Sequence, residues 1–301
     1  MNKHLLLVHA HPDDESIGQG ATMARYAAEG IGVTLVTCTG GEMGEILVPE
    51  MEHMAADKDD TLADQRKVEL DNAMKALGVT DHRYLGGFKR YRDSGMQWHA
   101  DGHAVAADDV HENAFWNADL TEAAGHLVEV IREVRPQVLV TYDEFGGYGH
   151  PDHIQAHRVA TYAVALAAVP SYRRDLGAAH DVEKVYWGAM SASRVRQGLR
   201  DLREAGDLTT FEGMDPDGEL PKFMVADEDL TTIIDADDYA AAKMDAMRAH
   251  ATQIAVDGPF FALSNNKGNE IWGTEFFRIA KGTPGPAGPE GLETDLFAGL
   301  A

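Results

Sequence analysis

The chain has 301 residues, of which 26 are lysine or arginine and 50 are aspartate or glutamate, so its formal net charge at pH 7 is −24. A chain of this length buries a sizeable core without disulfide bonds. Its negative charge repels phosphate backbones and anionic lipids, which excludes nucleic acid and membrane surfaces as favoured partners but leaves room for a bound metal ion.

The first half of the chain alternates between short apolar runs, typical of strands, and longer segments with helical periodicity. The predicted strands are residues 5–8, 31–38, 83–85 and 137–142, and the predicted helices are residues 16–29, 61–77, 121–134 and 153–168. This alternation is typical of βαβ units. It predicts an α/β, Rossmann-like fold with a mostly parallel sheet and helices on both faces.

The C-terminal part of the sequence is less regular. We expect a single domain over residues 1–301, in which residues 1–190 form the α/β core and residues 191–301 form a C-terminal portion. One more helix packed on the core is predicted by apolar residues at helical spacing, namely Tyr239, Met244, Met247, Ala251 and Ile254. Residues 282–291, GTPGPAGPEG, are rich in turn formers, and we expect them to let the final segment ETDLFAGL dock on the body.

The single cysteine, Cys38, excludes an internal disulfide framework and is typical of a reducing compartment. It ends the apolar run VTLVTC, so we expect a buried thiol rather than a reactive one. The apolar stretch near the N-terminus is too short for a signal peptide and meets acidic residues at once. No run approaches the ~18 apolar residues of a membrane span, and we expect a cytoplasmic protein.

The first candidate site is His11-Pro12-Asp13-Asp14-Glu15, directly after the first predicted strand. Ligands of open parallel sheets bind beyond the carboxyl ends of strands, where this segment lies. Histidine and aspartate are good zinc ligands, and two adjacent carboxylates are stable together when one binds a cation and the other accepts a proton. The alternative is a solvated acidic loop in which Asp14 or Glu15 caps a helix.

The second candidate site is the segment GGYGHPDH, residues 146–153, after the predicted strand 137–142. Its alternative interpretation is a flexible glycine loop in which Asp152 caps a helix. Because both segments follow strands of one parallel sheet, they meet at the same edge and supply two histidines and a carboxylate. This set is sufficient for a catalytic zinc with an open coordination position.

Two further residues have roles that the spacing leaves open. His157 shares a helical face with His153, but it lies one turn deeper and the glutamate of an HExxH motif is missing, so we expect packing. Arg66 lies on an otherwise apolar helical face, near the end of the helix that points toward the candidate sites. An ion pair with a carboxylate and a contact with substrate explain such an arginine equally well.

The motifs AHPDDE and GHPDH together resemble those of the LmbE/PIG-L family of zinc-dependent N-deacetylases. The resemblance runs nearly end to end. Within the family, the chain is most similar to the branch that deacetylates N-acetylglucosaminyl-inositol in mycothiol biosynthesis. This similarity is carried by TGGEMGEI, YRDSGM, TYDEFGGYGHPDH, AHATQ, ALSNN and ETDLFAGL.

The resemblance implies a set of roles around one metal ion. His11, Asp14 and His153 are its expected ligands, and Asp13 is the expected general base. His150 is expected to act in the transition state as a protonated, electrostatic or acid group. Both Zn²⁺ and Fe²⁺ suit such ligands.

The resemblance also implies roles around the substrate, a small amino sugar linked to inositol. Tyr148 is expected to polarise the amide carbonyl, and Asp152 to orient a histidine. Arg66, Glu45 and Asp93 match positions that meet the sugar or the inositol. Without the resemblance, Glu45 and Asp93 are interpreted as solvated loop carboxylates.

Two alternative functions remain at this point. A sister amidase that cleaves mycothiol S-conjugates uses the same metal chemistry on a larger amide. A metal-free sugar- or nucleotide-binding module is possible on the same fold, but no GxGxxG follows the first predicted strand, which disfavours a dinucleotide. The oligomeric state is not predicted by the sequence.

Overall fold

A computed structural model describes residues 3–100, 102–221, 223–267 and 273–300 of the chain. Within these residues the strands are β1 (His4–His9), β2 (Gly32–Thr37), β3 (Asp81–Tyr84), β4 (Gln97–Trp98), β5 (Ala104–Val105), β6 (Val138–Thr141), β7 (Lys184–Ala189), β8 (Thr232–Asp235) and β9 (Thr274–Lys281). Seven of them form one sheet in the order β3-β2-β1-β6-β7-β9-β8, while β4 pairs with β5. Neighbours from β3 to β7 are parallel, and β9 is antiparallel to β7 and β8.

The helices are α1 (Asp14–Ala28), α2 (Leu62–Leu77), α3 (Leu120–Val134), α4 (Gly146–Gly149), α5 (Pro151–Ala167), α6 (Ala192–Glu204), α7 (Ala240–Ala249) and α8 (Pro259–Lys267). Short 3-10 helices cover Pro49–Met54, Phe115–Asn117, Arg174–Leu176, Thr210–Gly213, Asp227–Asp229 and Asp237–Tyr239. In the part of the chain that the structure describes, no helix has the length and apolarity needed to span a bilayer.

The central strand β1 is buried on both faces, which explains its uninterrupted run of apolar residues. Leu5 and Leu7 pack on one face with residues of α1 and α2. Leu6 and Val8 pack on the other face with residues of α3 and α5. Parallel sheets need cover on both sides because their crossover helices lie on the faces. The predicted fold, a mostly parallel sheet with helices on both faces, is confirmed.

The order of the strands places a crevice at the end of β1. The chain runs from β1 to β2 and β3 on one side, and later enters β6 on the other side of β1. The carboxyl ends of β1 and β6 therefore flank the point where the strand order reverses, which is the usual ligand position in such sheets. The two candidate segments follow these two strands.

The C-terminal portion adds β8 and β9 to the sheet and packs on its core. The predicted helix is shorter than expected: it ends at Ala249 because His250 leaves the helical conformation, with φ −83° and ψ 51°. The His250 carbonyl instead accepts the N–H of Ile254 at 2.8 Å. Leu296 and Phe297 of the final segment are buried, as expected. The division of the domain near residue 190 stays a prediction.

Helix α1 is interrupted just after its first turn. Gln19 has non-helical dihedral angles of φ −133° and ψ 17°. The N–H groups of Ala21 and Thr22 donate to the carboxylate of Glu275 on β9, at 3.1 and 2.8 Å. Lys243 on α7 donates to the same carboxylate at 2.7 Å, and both charged groups are buried. Glu275 thus satisfies the N–H groups at the start of the second helical segment.

Candidate active site

The segment after β1 turns sharply into α1 and presents two carboxylates. Asp13 is the N-cap residue, yet its side chain makes no capping hydrogen bond, and its φ of 124° lies in a region that L-residues rarely adopt. Asp14 begins the helix, and its Oδ2 accepts the N–H of His11 at 2.9 Å. This turn gathers His11, Asp13 and Asp14 beyond the end of β1.

The loop between β6 and α5 brings the second motif to the same edge. Gly149 has a φ of 98°, and a Cβ there would lie 2.5 Å from the carbonyl oxygen of Ala104, so only glycine fits. His150 is the N-cap residue of α5, and its Nδ1 accepts the N–H of Asp152 at 3.1 Å. Pro151 takes the first helical position, where the missing N–H costs nothing.

Three imidazole rings meet where the two loops converge. The ring centroids of His11 and His150 are 4.6 Å apart, those of His11 and His153 are 5.3 Å apart, and those of His150 and His153 are 5.0 Å apart. One nitrogen of each ring lies within 4.8 Å of the others, and all three residues are buried. His11 and His153 are therefore close enough to share a single ion.

The carboxylate of Asp14 lies between two of these rings. Its Oδ2 is 3.4 Å from His11 Nδ1, and its Oδ1 is 3.3 Å from His153 Nε2. Because His153 Nδ1 pairs with the carbonyl of Gly146 at 3.2 Å, Nε2 keeps its lone pair, and among the described residues it has no hydrogen-bond partner. A histidine oriented in this way through its other nitrogen is typical of metal sites. The residues present fit a divalent cation.

Two further carboxylates lie behind His11. Its Nε2 is 3.2 Å from Asp152 Oδ2 and 3.5 Å from Asp93 Oδ1. Asp152 also accepts the N–H of Ser94 at 2.9 Å and bonds the Ser94 hydroxyl. Burial alone raises the pKa of Asp93, but the nearby His11 outweighs it and holds that pKa well below its usual range. The carboxylate of Asp152 thus contacts His11, and Asp93 is buried rather than solvated.

The environment gives the three imidazoles different charges. Burial lowers the pKa of His153 to about 4 and that of His150 to about 3. Burial also acts on His11, but the surrounding carboxylates, Asp93 foremost, outweigh it and raise its pKa well above the usual value. Neutral imidazole is the form that binds metals, so a metal ion held by His11 displaces the proton of that ring.

Asp13 directly precedes Asp14 and pairs with Arg66. Its Oδ2 accepts a hydrogen bond from Arg66 Nη2 at 3.1 Å. Burial raises the pKa of Asp13 to about 6, Arg66 opposes this rise, and Asp14 adds to it. Arg66 is itself buried and also donates to the carbonyls of Pro12 and Gly41. Of the two interpretations left open for Arg66, the ion pair is present, and the substrate contact stays a prediction.

The ring of Tyr148 packs against the cluster of imidazole rings. Its ring centroid is 5.1 Å from that of His153 and 6.1 Å from that of His150. On its outer side lies Trp98, with a centroid distance of 6.0 Å. Burial raises the pKa of Tyr148 far above neutrality, so the hydroxyl keeps its proton and can donate a hydrogen bond.

Two residues singled out in the sequence lie outside this cluster. Glu45 is exposed in the loop that follows β2. His157 pairs through Nδ1 with the carbonyl of Tyr142 at 3.0 Å, and its ring packs 5.5 Å from that of Trp187. His157 thus packs outside the cluster, and its absence from the ligand set stays a prediction.

Sequence reasoning missed Tyr142 and Ser94. The hydroxyl of Tyr142 donates to Asp14 Oδ2 at 2.7 Å, and its ring stacks on that of His153 at a centroid distance of 4.2 Å. Its position directly after β6 was a usable signal, because polar residues at that edge of the sheet face the crevice. Ser94 lies in an irregular loop, and no periodic pattern marks it.

A comparison with protein families finds one match, described as PIG-L: GlcNAc-PI de-N-acetylase, over residues 6–164. This range includes all three clustered histidines together with Asp13, Asp14, Asp93 and Asp152.

Curated relatives match along nearly the whole chain. A 1D-myo-inositol 2-acetamido-2-deoxy-alpha-D-glucopyranoside deacetylase of Nocardioides sp. is 76% identical over 299 residues, covering 99% of each chain. A protein of the same name from Kribbella flavida is 64% identical, covering 99% of this chain and 98% of the relative. Among solved structures, an N,N'-diacetylchitobiose deacetylase from Pyrococcus horikoshii has a TM-score of 0.59 at 20% identity, covering 92% and 83% of the two chains. That likeness shows the shared fold.

Proposed function

The chain belongs to the PIG-L family of GlcNAc-PI de-N-acetylases, and we propose that it catalyses the reaction for which its full-length relatives are named. It hydrolyses the N-acetyl group of 1D-myo-inositol 2-acetamido-2-deoxy-alpha-D-glucopyranoside and releases acetate and the free amino sugar, a step of mycothiol biosynthesis. The observation that carries this proposal is the convergence of three histidines and Asp14 next to a separately held carboxylate, Asp13.

We assign His11, Asp14 and His153 as the residues that hold a metal ion. They come from both loops, and the free Nε2 of His153 supports the assignment. A zinc ion bound there supplies Lewis acidity, which polarises a carbonyl oxygen and lowers the pKa of a water molecule to about 7. Fe²⁺ suits the same donors. His150 belongs to the same cluster of rings, and the metal content of His150→Ala decides whether it is a ligand or an acid.

Asp13 is the proposed general base. It takes the proton of the attacking water and later returns it to the leaving amine. Its carboxylate follows directly on the metal-binding turn and is held by Arg66 at 3.1 Å, which supports a base that is not itself a ligand. A base held in this way contributes about 10²–10⁴-fold to the rate.

Two side chains are proposed to stabilise the oxyanion. Tyr148 donates its hydroxyl hydrogen toward the amide oxygen, and His150 donates a ring N–H toward the same oxygen. Loss of one such donor costs roughly 3 kcal/mol of barrier. Asp152 positions His11 through their 3.2 Å contact.

Three residues are proposed to bind the hydroxyl groups of the sugar and the inositol. Asp93 and Arg66 are buried next to His11 and Asp13, where their charges favour polar substrates. Glu45 lies on the exposed loop after β2, which suits a contact with the outer ring. We propose that the protein acts as a cytoplasmic enzyme on this small molecule alone.

Acetate release tests this function. The protein is stripped with a chelator, refilled with Zn²⁺ or Fe²⁺, and assayed on the N-acetylated amino sugar and on a mycothiol S-conjugate. Metal-dependent acetate release from the first substrate supports the proposal, and preferential cleavage of the S-conjugate assigns the chain to the sister amidase instead. Protein that binds the sugar and releases neither product is a binding module. Metal content of His150→Ala decides the role of His150, since a metal ligand loses metal and an acid keeps it.

A further inference from the structure

The backbone of Asp13 needs restraints that the helix itself does not provide. An aspartate at the N-cap normally turns its carboxylate back onto the free N–H groups of the first turn. Asp13 makes no such bond, and its φ of 124° is strained. A strained conformation persists only where the surrounding structure fixes it. Arg66 holds the carboxylate of Asp13 and the carbonyl of Pro12, and the Asp13 carbonyl accepts the N–H groups of Ser16 and Ile17. The N–H of Asp13 is left for another group to hold.

Glu15 holds that backbone. Its Oε2 accepts the N–H of Asp13 at 3.0 Å, and its Oε1 accepts the Ser16 hydroxyl at 2.6 Å. Its side chain is fully buried. A buried carboxylate is costly unless it is paired and hydrogen-bonded.

His250 pairs with Glu15 at the oxygen that also binds Ser16. Its Nε2 lies 2.9 Å from Glu15 Oε1, and the imidazole is fully buried. His250 directly follows α7, in the C-terminal portion of the chain. The C-terminal portion thus reaches the proposed base through two side chains.

We propose that Glu15 and His250 are positioning residues: together they hold the backbone of Asp13 in its strained conformation and thereby keep its carboxylate beside the metal-binding rings. This inference rests on the proposed function, since it presumes that Asp13 is the base. It assigns to the C-terminal portion a part in the reaction. Displacement of a reacting group by about 1 Å typically costs about 10²-fold in rate.

The test compares Glu15→Ala, Glu15→Gln and His250→Ala with a matched control, Glu69→Gln. Glu69 is also buried and binds Thr252, just after His250, but it does not contact Asp13. We expect Glu15→Ala and His250→Ala to lower kcat by about 10²-fold with KM and metal content unchanged. Glu15→Gln keeps an oxygen for the N–H of Asp13 and is expected to recover much of the rate, whereas Glu69→Gln stays within about 2-fold of wild type.

A double-mutant cycle separates positioning from general damage. In an Asp13→Asn background, Glu15→Ala is expected to cause little further loss, because the carboxylate that it positions is already gone. An equal loss in both backgrounds, or loss of bound metal in Glu15→Ala, overturns the inference. Circular dichroism shows whether each variant is folded. If Glu15→Ala is not folded, Glu15→Gln takes its place in the double-mutant cycle. Absence of acetate release by wild type refutes the proposed function instead.

Discussion

The buried carboxylate of Glu293 helps to hold the final segment on the sheet. It accepts hydrogen bonds from Lys184 Nζ at 2.6 Å, from the Tyr186 hydroxyl at 2.6 Å, from the Thr232 hydroxyl at 2.9 Å and from the N–H of Gly285 at 2.6 Å. Lys184 and Glu293 are both buried. The replacement Glu293→Gln keeps the size of the side chain and removes its charge.

The expected cost of this replacement follows from those contacts. Glutamine offers one acceptor oxygen, and its amide nitrogen faces groups that are themselves donors, while the buried Lys184 loses its carboxylate partner. Breaking a buried ion pair by removing one partner costs about 3–5 kcal/mol. Because domains unfold with about 5–15 kcal/mol in total, we expect Glu293→Gln to lose a large share of the free energy of unfolding.

Equilibrium unfolding in urea, followed by circular dichroism, measures this loss as a lower midpoint at an unchanged slope. Glu290→Gln is the matched control, because Glu290 is exposed in the same region and surface substitutions stay within about 0.5 kcal/mol. The double variant Glu293→Gln with Lys184→Met removes both charges, keeps an acceptor oxygen for the remaining donors and is expected to recover part of the stability. A free energy of unfolding for Glu293→Gln that lies within about 1 kcal/mol of the wild-type value refutes this reasoning.

The remaining predictions concern the site. His153→Ala is expected to lose bound metal while His157→Ala retains it, as metal analysis of the purified variants can show; loss of metal in both contradicts the ligand assignment. Asp13→Asn is expected to keep metal and to lower kcat by about 10²–10⁴-fold, because the general base is lost; a metal-free Asp13→Asn would instead make Asp13 a ligand. Tyr148→Phe is expected to lower kcat by roughly 10²-fold at similar KM in the acetate-release assay, since an oxyanion donor is removed; an unchanged kcat excludes that role.

The fold was predictable because its strands and helices leave local patterns. Strands buried on both faces, such as β1 with Leu5 to Val8, are continuous apolar runs. Helices between them show helical spacing. The predicted end of α7 was wrong, because Ile254 is an apolar residue buried beyond the helix. It continues the helical spacing in the sequence although the backbone turns at His250.

The convergence of the site was predictable for a topological reason. Two motifs that follow parallel strands must meet at one edge of the sheet, which brings His11 and His153 together although they are far apart in the chain. The contact between Glu15 and His250, 235 positions apart, has no such rule behind it. Asp93 was equally hidden, because a carboxylate in an irregular loop looks solvated until the fold shows what covers it.

The break in α1 divides this helix into two segments with different contacts. The short leading turn, which begins with Asp14, carries residues of the candidate metal site, while the trailing segment after Gln19 has its own fixed start on Glu275. Alterations in the leading turn can thus be absorbed there, without displacing the trailing segment that packs in the core.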